Sequence, residues 1–296
     1  MLDFRLKVFY TVARRLNFTK AAAELYISQP AVTKHIRELE SHFKTSLFER
    51  SGNKKIILTA AGETLLTYAE KLDETWKELE FDMNLLVNQH SGALRLGAST
   101  TVSQYVIAPV LARFRQKFKD VKLSLVTANT EQTEQALLNK EIDLGIIEGL
   151  SKNPQINYTA YLNDELVLVS GIHNKALKKD TIKPEELKNH PLLMREHGSG
   201  TLDVIAHALK PHHIKLSDLN IEMHLGSTES IKSYLMHSNC LSFVSVHSIT
   251  HELKNNELRI IDIKGLEILR PFYFIQPHGH ALPLAELFMR FAGNIS

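Results

Sequence analysis

The sequence predicts a mixed α/β protein: a small basic head of helices and a β-hairpin, then a long connecting helix, then a larger α/β body. Three observations predict it. Residues 1–58 hold 11 Lys and Arg against 5 acids, a surplus of six, so in a chain of net charge +2 the remainder carries a deficit of four. Apolar residues keep helical spacing through most of the first 90 positions and then fall into short runs that alternate with helical segments. The length of 296 residues suits about two domains, by the rough prior of ~150 residues each.

The same composition excludes several classes. No run of about 18 apolar residues occurs, and the opening MLDFRLKVFY carries Asp3, Arg5 and Lys7 where a secretory signal needs an unbroken apolar stretch. The expected compartment is therefore the cytoplasm. Cys240 stands alone, which rules out an internal disulfide and an all-cysteine zinc site. A basic head on a mildly acidic body reads as a polyanion-binding module joined to something with another job, a merely solvated basic surface being the plain alternative.

Three short helices follow from periodicity and caps. In FRLKVFYTVARRLNF, Leu6, Phe9, Ala13 and Leu16 share one face. Thr19 is expected to cap KAAAELY, and Ser28 to cap QPAVTKHIRELESHF, with Pro30 in the first turn where a missing N–H costs nothing. On that third helix Val32, Ile36 and Leu39 point inward, while Gln29, Thr33 and Arg37 point outward with Lys34 beside them. Gln pairs with adenine, Arg and Lys with guanine, and Thr offers a methyl to thymine, so the outward set suits a helix in a DNA major groove. SLFERSGNKKIILTAAG then reads as a hairpin, whose Arg50, Lys54 and Lys55 would reach phosphates or the minor groove. Together these make a winged helix-turn-helix.

The run FTKAAAELYISQPAVTKHIRELE, followed by LFERSGNKKIILTAAG, resembles the DNA-binding domain of LysR-type transcriptional regulators. Ala21–Ala23, Ser28–Ala31, Ile36, Leu39–Glu40, Leu47–Phe48, Arg50 and Leu58–Thr59 fall at that family's spacing. The resemblance implies base and phosphate contacts at Thr19, Gln29, Pro30, Thr33, Lys34, Arg37 and Arg50.

Residues 59–90 read as one long helix. Leu65, Ala69, Leu72, Trp76, Leu79, Met83 and Leu86 step by alternating fours and threes, a narrow seam that wants another helix. The partner helix is either the chain's own body or a second copy. As in the resembled family, a dimerising linker is expected, and a dimer of dimers is implied by the resemblance alone.

The body, 91–296, reads as strands at ALRLGAS, KLSLVTA, DLGIIEG, ELVLVSG, PLLMRE, IEMHLGS, LSFVSV, LRIIDIK and EILRPFYFIQ, with helices between and after them. The resemblance implies two lobes like a periplasmic binding protein, lobe I being 92–162 with 267–296 and lobe II 163–266. Ser99–Thr100–Thr101, Gly198–Ser199–Gly200–Thr201 and Ser227–Thr228 each follow a strand and precede a helix. Ligands of open α/β sheets bind there, and free N–H groups with short hydroxyls suit a small anion; plain helix capping is the alternative. Glu148 and Arg195, also at strand ends, would tune the charge of such a cleft. The GSGT and GSTESIK runs are similar to effector domains of the branch regulating sulfur assimilation and carbon fixation, with a departure at His237–Cys240, where many relatives carry a Gly-rich turn.

Other chemistries find little support. His207, His212, His213 and His224 are near in sequence, but only His207 and His212 approach a helical ligand spacing and Pro211 interrupts it. No GxSxG elbow, phosphate loop or internal repeat occurs. The expectation is a non-enzymatic, cofactor-free, ligand-responsive DNA-binding regulator. Its rival is a free-standing solute-binding protein or enzyme with the basic head as an appendage.

Overall fold

The computed structural model describes residues 3–51, 55–86, 91–150, 152–177, 179–279 and 282–293. The chain divides into two compact units, residues 1–89 and 90–296. The first contains α1 (Phe4–Arg15), α2 (Phe18–Glu24), α3 (Gln29–Phe43), the hairpin β1 (Phe48–Ser51) and β2 (Lys55–Leu58), and α4 (Ala60–Leu86).

Two local expectations fail in the head. Asn17, not Thr19, caps α2: Asn17 has an extended backbone and its side-chain carbonyl accepts from the Lys20 amide at 2.9 Å. Thr19 falls inside the first turn and is exposed. Leu16 does not join the inward stripe of α1. It adopts a left-handed conformation that closes the helix and is 45% exposed, while Val8, Phe9, Val12 and Ala13 pack inward. Their core includes Ala21, Val32, Ile36, Leu39 and Leu47, and each large aliphatic side chain so buried contributes about 1.5–3 kcal/mol.

Ser28 caps α3, accepting from the Ala31 amide at 3.3 Å. The junction to the hairpin is tied by Glu40, which accepts from the Leu47 amide at 2.8 Å. Thr59 donates its hydroxyl to the Ser46 carbonyl and receives the Gly62 amide, starting α4. At Gly62 a Cβ would lie 2.1 Å from the Leu47 carbonyl oxygen, so only glycine lets the helix pass the hairpin. Along α4, Ala69 is buried and Leu65 and Trp76 are half-buried, whereas Leu72, Leu79 and Met83 are 49%, 48% and 55% exposed. The side chain of Leu86 lies outside the described residues.

The second unit runs β3 (Gly92–Ser99), α5 (Thr100–Val102) continuing through a π-helical turn at Ser103–Ile107 into α6 (Ala108–Lys117), β4 (Val121–Ala128), α7 (Thr130–Leu138), β5 (Leu144–Glu148) and β6 (Ile156–Gly171). There follow β7 (Thr181–Ile182), β8 (Leu192–Arg195), α8 (Gly200–Leu209), β9 (Ile221–Leu225), α9 (Thr228–Met236) and β10 (Leu241–Ser245). The unit ends with α10 (Thr250–Lys254), β11 (Leu258–Ile263), β12 (Ile268–Pro277) and α11 (Pro283–Gly293).

The main strand order is β4-β3-β5-β12-β6-β10-β8-β9. Strand β3 pairs in parallel with β4 and β5, and β8 with β9 and β10. The long strands β6 and β12 run antiparallel between these groups and belong to both. The strand expected at ELVLVSG therefore begins nine residues earlier, at Ile156. Along β12 the packing changes over near Pro271, where the register with β6 slips. Leu266 and Ile268 pack with Leu166 and Leu168 in lobe II, while Phe274 meets Phe288 of α11 in lobe I.

Candidate functional site

On the head, the outward face of α3 is set in advance. The Gln29 amide donates to the Thr33 hydroxyl at 3.1 Å, and that hydroxyl donates to the Gln29 carbonyl at 3.2 Å. Thr19, Gln29, Thr33 and Arg37 border one groove with Phe48 and Ile56 of the hairpin. Pro30 and Lys34 lie on the adjoining exposed surface. Lys54 lies outside the described residues, as do the side chains of Arg50 and Lys55; Arg50 and Lys55 occupy β1 and β2.

In the body, the strand-end residues gather around Glu148, which is 1% exposed at the end of β5. One oxygen takes a short bond from Ser99, and the other accepts from Thr201 at 3.3 Å. Thr201 in turn accepts from Nη1 of Arg270 at 2.7 Å, and Nε of Arg270 meets Asp164 at 2.7 Å. Ser245 donates to the other Asp164 oxygen. Arg270, Asp164 and Ser245 were not singled out by sequence, yet Arg270 joins both lobes at the changeover of β12.

The hydroxyls divide into two groups. Ser99 and Ser227 cap their helices, accepting from Val102 and Ser230. Thr101 and Thr228 are buried at the starts of α5 and α9. Thr201 is spent between Glu148 and Arg270. By contrast, Thr100 Oγ1, Ser199 Oγ and Nη2 of Arg270 are buried without a partner. Ser199 stands at the cap position of α8 but makes no capping bond. Capping therefore accounts for Ser99 and Ser227 and leaves Ser199 unexplained.

Two glycines let the lobes meet here. A Cβ on Gly200 would lie 1.9 Å from the Glu148 carbonyl oxygen, and the carbonyl of Gly198, a residue at φ +79°, accepts from the Glu131 amide at 3.1 Å. Arg195 is 2% exposed and holds Glu196 through two bonds at 2.8 and 2.9 Å. Among the described residues no grouping of His, Cys, Asp and Glu could hold a metal, and no helix is long and apolar enough to cross a membrane.

Residues 88–294 match the LysR substrate binding domain, and residues 4–63 match the bacterial regulatory helix-turn-helix of the lysR family. The chain belongs to the LysR family of transcriptional regulators. Among its relatives is the HTH-type transcriptional activator CmpR of Synechocystis sp. strain PCC 6803, 30% identical over 96% of this chain and 92% of the relative. The CcmR regulatory domain from Synechocystis, solved in complex with 2-PG, superimposes with a TM-score of 0.63 at 29% identity, covering 69% of this chain and 97% of that one. Full-length CbnR complexed with its target DNA shares the fold at a TM-score of 0.62 and 21% identity, each chain being covered completely. This LysR-family chain is thus a DNA-binding transcription regulator with an effector-binding domain, and its relatives are regulators rather than enzymes.

Proposed function

We propose that this cytoplasmic regulator reads a two-half-site operator as a homo-oligomer through Gln29, Thr33, Lys34 and Arg37, and is switched by a small anion held between its lobes by Thr100, Ser199 and Arg270. The observation that carries the effector reading is that three buried donors, on three different chain segments around Glu148, have no partner within the protein. Buried polar groups left unbonded are costly, so an acceptor supplied from outside is stabilised there. Among the described residues of the second unit, buried Arg195, Arg270 and Lys232 stand against buried Glu134, Glu148, Asp164 and Glu252, so the buried charges carry no positive surplus. The anion is then drawn by aimed N–H and O–H donors and helix N-termini rather than by net charge, which keeps affinity modest. The 2-PG bound by the related CcmR domain is of this class.

The test is calorimetric titration of the full chain with phosphate, sulfate, thiosulfate and 2-phosphoglycolate, beside a Thr100→Val, Ser199→Ala double variant. The best anion should bind the variant at least about tenfold more weakly, a loss of about 1.4 kcal/mol. Equal affinity in the variant, or binding only of uncharged or cationic compounds, refutes the proposal.

A further inference from the structure

Thr33 lies one turn beyond Gln29 on α3 and is half-buried, whereas Gln29 is exposed. The two residues close a circuit of hydrogen bonds. The Thr33 hydroxyl donates to the Gln29 backbone carbonyl at 3.2 Å, and the Gln29 side-chain amide donates to that hydroxyl at 3.1 Å. A hydroxyl has a single hydrogen to give. With that hydrogen committed to the carbonyl, Thr33 Oγ1 can only accept, so the Gln29 amide must turn its nitrogen, not its oxygen, toward Thr33. The bond back to the carbonyl also selects between the two χ1 rotamers open to threonine in a helix, which fixes the group that does the holding. Gln29 is the first residue of α3, and the Ser28 cap holds the backbone there.

What Gln29 has left is one side-chain N–H and the side-chain oxygen, a donor and an acceptor in a set order. In the major groove, adenine offers an acceptor at N7 and a donor at N6, which meet both together. Guanine offers two acceptors, so one would face the Gln29 oxygen; thymine offers an acceptor beside a methyl, and cytosine a donor alone. An amide free to turn would have to be ordered when DNA binds, and immobilising such a side chain costs affinity. Here the ordering is done during folding. The Thr33 hydroxyl is occupied in the circuit, and its methyl remains for contact with a base.

We infer that Thr33 is a positioning residue: its hydroxyl holds the Gln29 amide in one orientation before DNA arrives and so sets the preference for adenine at the base Gln29 reads. The inference rests on the reading of Gln29 as a base contact in the proposal above and adds the group that gives the contact its selectivity.

In the experiment, the full chain selects duplexes from a DNA library of random sequence. The selected duplex and its single-base variants are then titrated by fluorescence anisotropy at one salt concentration. Gln29→Ala marks the base that Gln29 reads, as the position whose preference it relaxes, and that base should be adenine. Thr33→Val keeps the shape and loses the hydroxyl. It should lower discrimination at that same position by about threefold to tenfold while preferences elsewhere hold. Thr33→Ser, which keeps the hydroxyl, should restore discrimination there to within about twofold of wild type. If Thr33→Val keeps the wild-type discrimination, or weakens binding to all duplexes alike, the positioning role is overturned and the base contact of Gln29 stands. A base other than adenine at the marked position also overturns it. If Gln29→Ala relaxes no position, the contact itself fails and the positioning role with it. Should Thr33→Val not fold, Thr33→Ala also lacks the hydroxyl and must show the same loss at that one position.

Discussion

Replacing Arg270 by Met should be among the most damaging single changes in the second unit. The guanidinium is 1% exposed and Asp164 is fully buried, their closest approach being 2.7 Å, with Glu148 3.7 Å away. Met keeps much of the apolar volume but strands the Asp164 carboxylate and removes the donor to Thr201. Removing one partner of a buried ion pair costs about 3–5 kcal/mol, because the other charge stays behind without its counterpart. For a unit of roughly 200 residues, at about 2–4 °C per kcal/mol, Tm should fall by about 6–20 °C. The assay is differential scanning calorimetry of the full chain at fixed protein concentration, since oligomerisation shifts Tm. Adding Asp164→Asn should recover at least half of the loss. A surface control, Arg290→Met, breaks a pair with Glu286 in which the arginine is 78% exposed, and should change stability by less than about 1 kcal/mol. A drop below about 3 °C for Arg270→Met, or no recovery in the double variant, would falsify the view of Arg270 as the buried tie between the lobes.

Gln29→Ala should weaken operator binding by about 1–3 kcal/mol and relax preference at one base position, measured by gel shift against a panel of single-base operator variants. An unchanged preference removes Gln29 from base reading. Leu79→Glu, on the exposed stripe of α4, should lower the mass seen by light scattering and reduce operator affinity, because a seam between two helices cannot bury an unpaired carboxylate cheaply; wild-type mass would place the interface elsewhere. Glu134 is held above the ordinary glutamate range by burial, with Glu131 and Asp203 repelling it and the bond from Tyr158 opposing the rise. The folded state then binds that proton more tightly, so its stabilisation is full below the unfolded value of about 4.5 and is lost as pH rises through the folded value. Glu134→Gln should raise Tm relative to wild type near pH 8, with the difference closing as pH falls toward 4.5, whereas a constant offset across that range would contradict the argument.

The helix-turn-helix was legible because its signals are local. Ser28, Pro30 and the Val32, Ile36, Leu39 stripe mark α3 within a few residues of each other. Asn17 and Thr19 show the limit of such reading, since both are capping residues and only the extended backbone at Asn17 decides between them. The first half of β6 went unread because INYTAYLND crosses from one lobe to the other and lacks the alternation that a strand with one buried face would show. Arg270 was missed for a related reason. A charge inside the apolar run ILRPFYFIQ was a signal, since arginine is almost never fully buried unless paired, but its partners Asp164 and Thr201 are 106 and 69 residues away.

The path of the chain also orders its synthesis. Strand β12 lies between β5 and β6, and α11 brings Phe288 against Phe114 of α6, so lobe I is finished only after residues 268–293 have left the ribosome. Until they arrive, β5 presents an unpaired strand edge and the ring of Phe114 lacks its cover, while most of lobe II, contiguous in the chain, is already complete. Such an edge is an invitation to pair with another nascent chain. A premature stop just after residue 266 would therefore not trim a tail: it would deprive the first-made lobe of an inner strand and its closing helix, and the product should be aggregated or degraded rather than a regulator deaf to its effector.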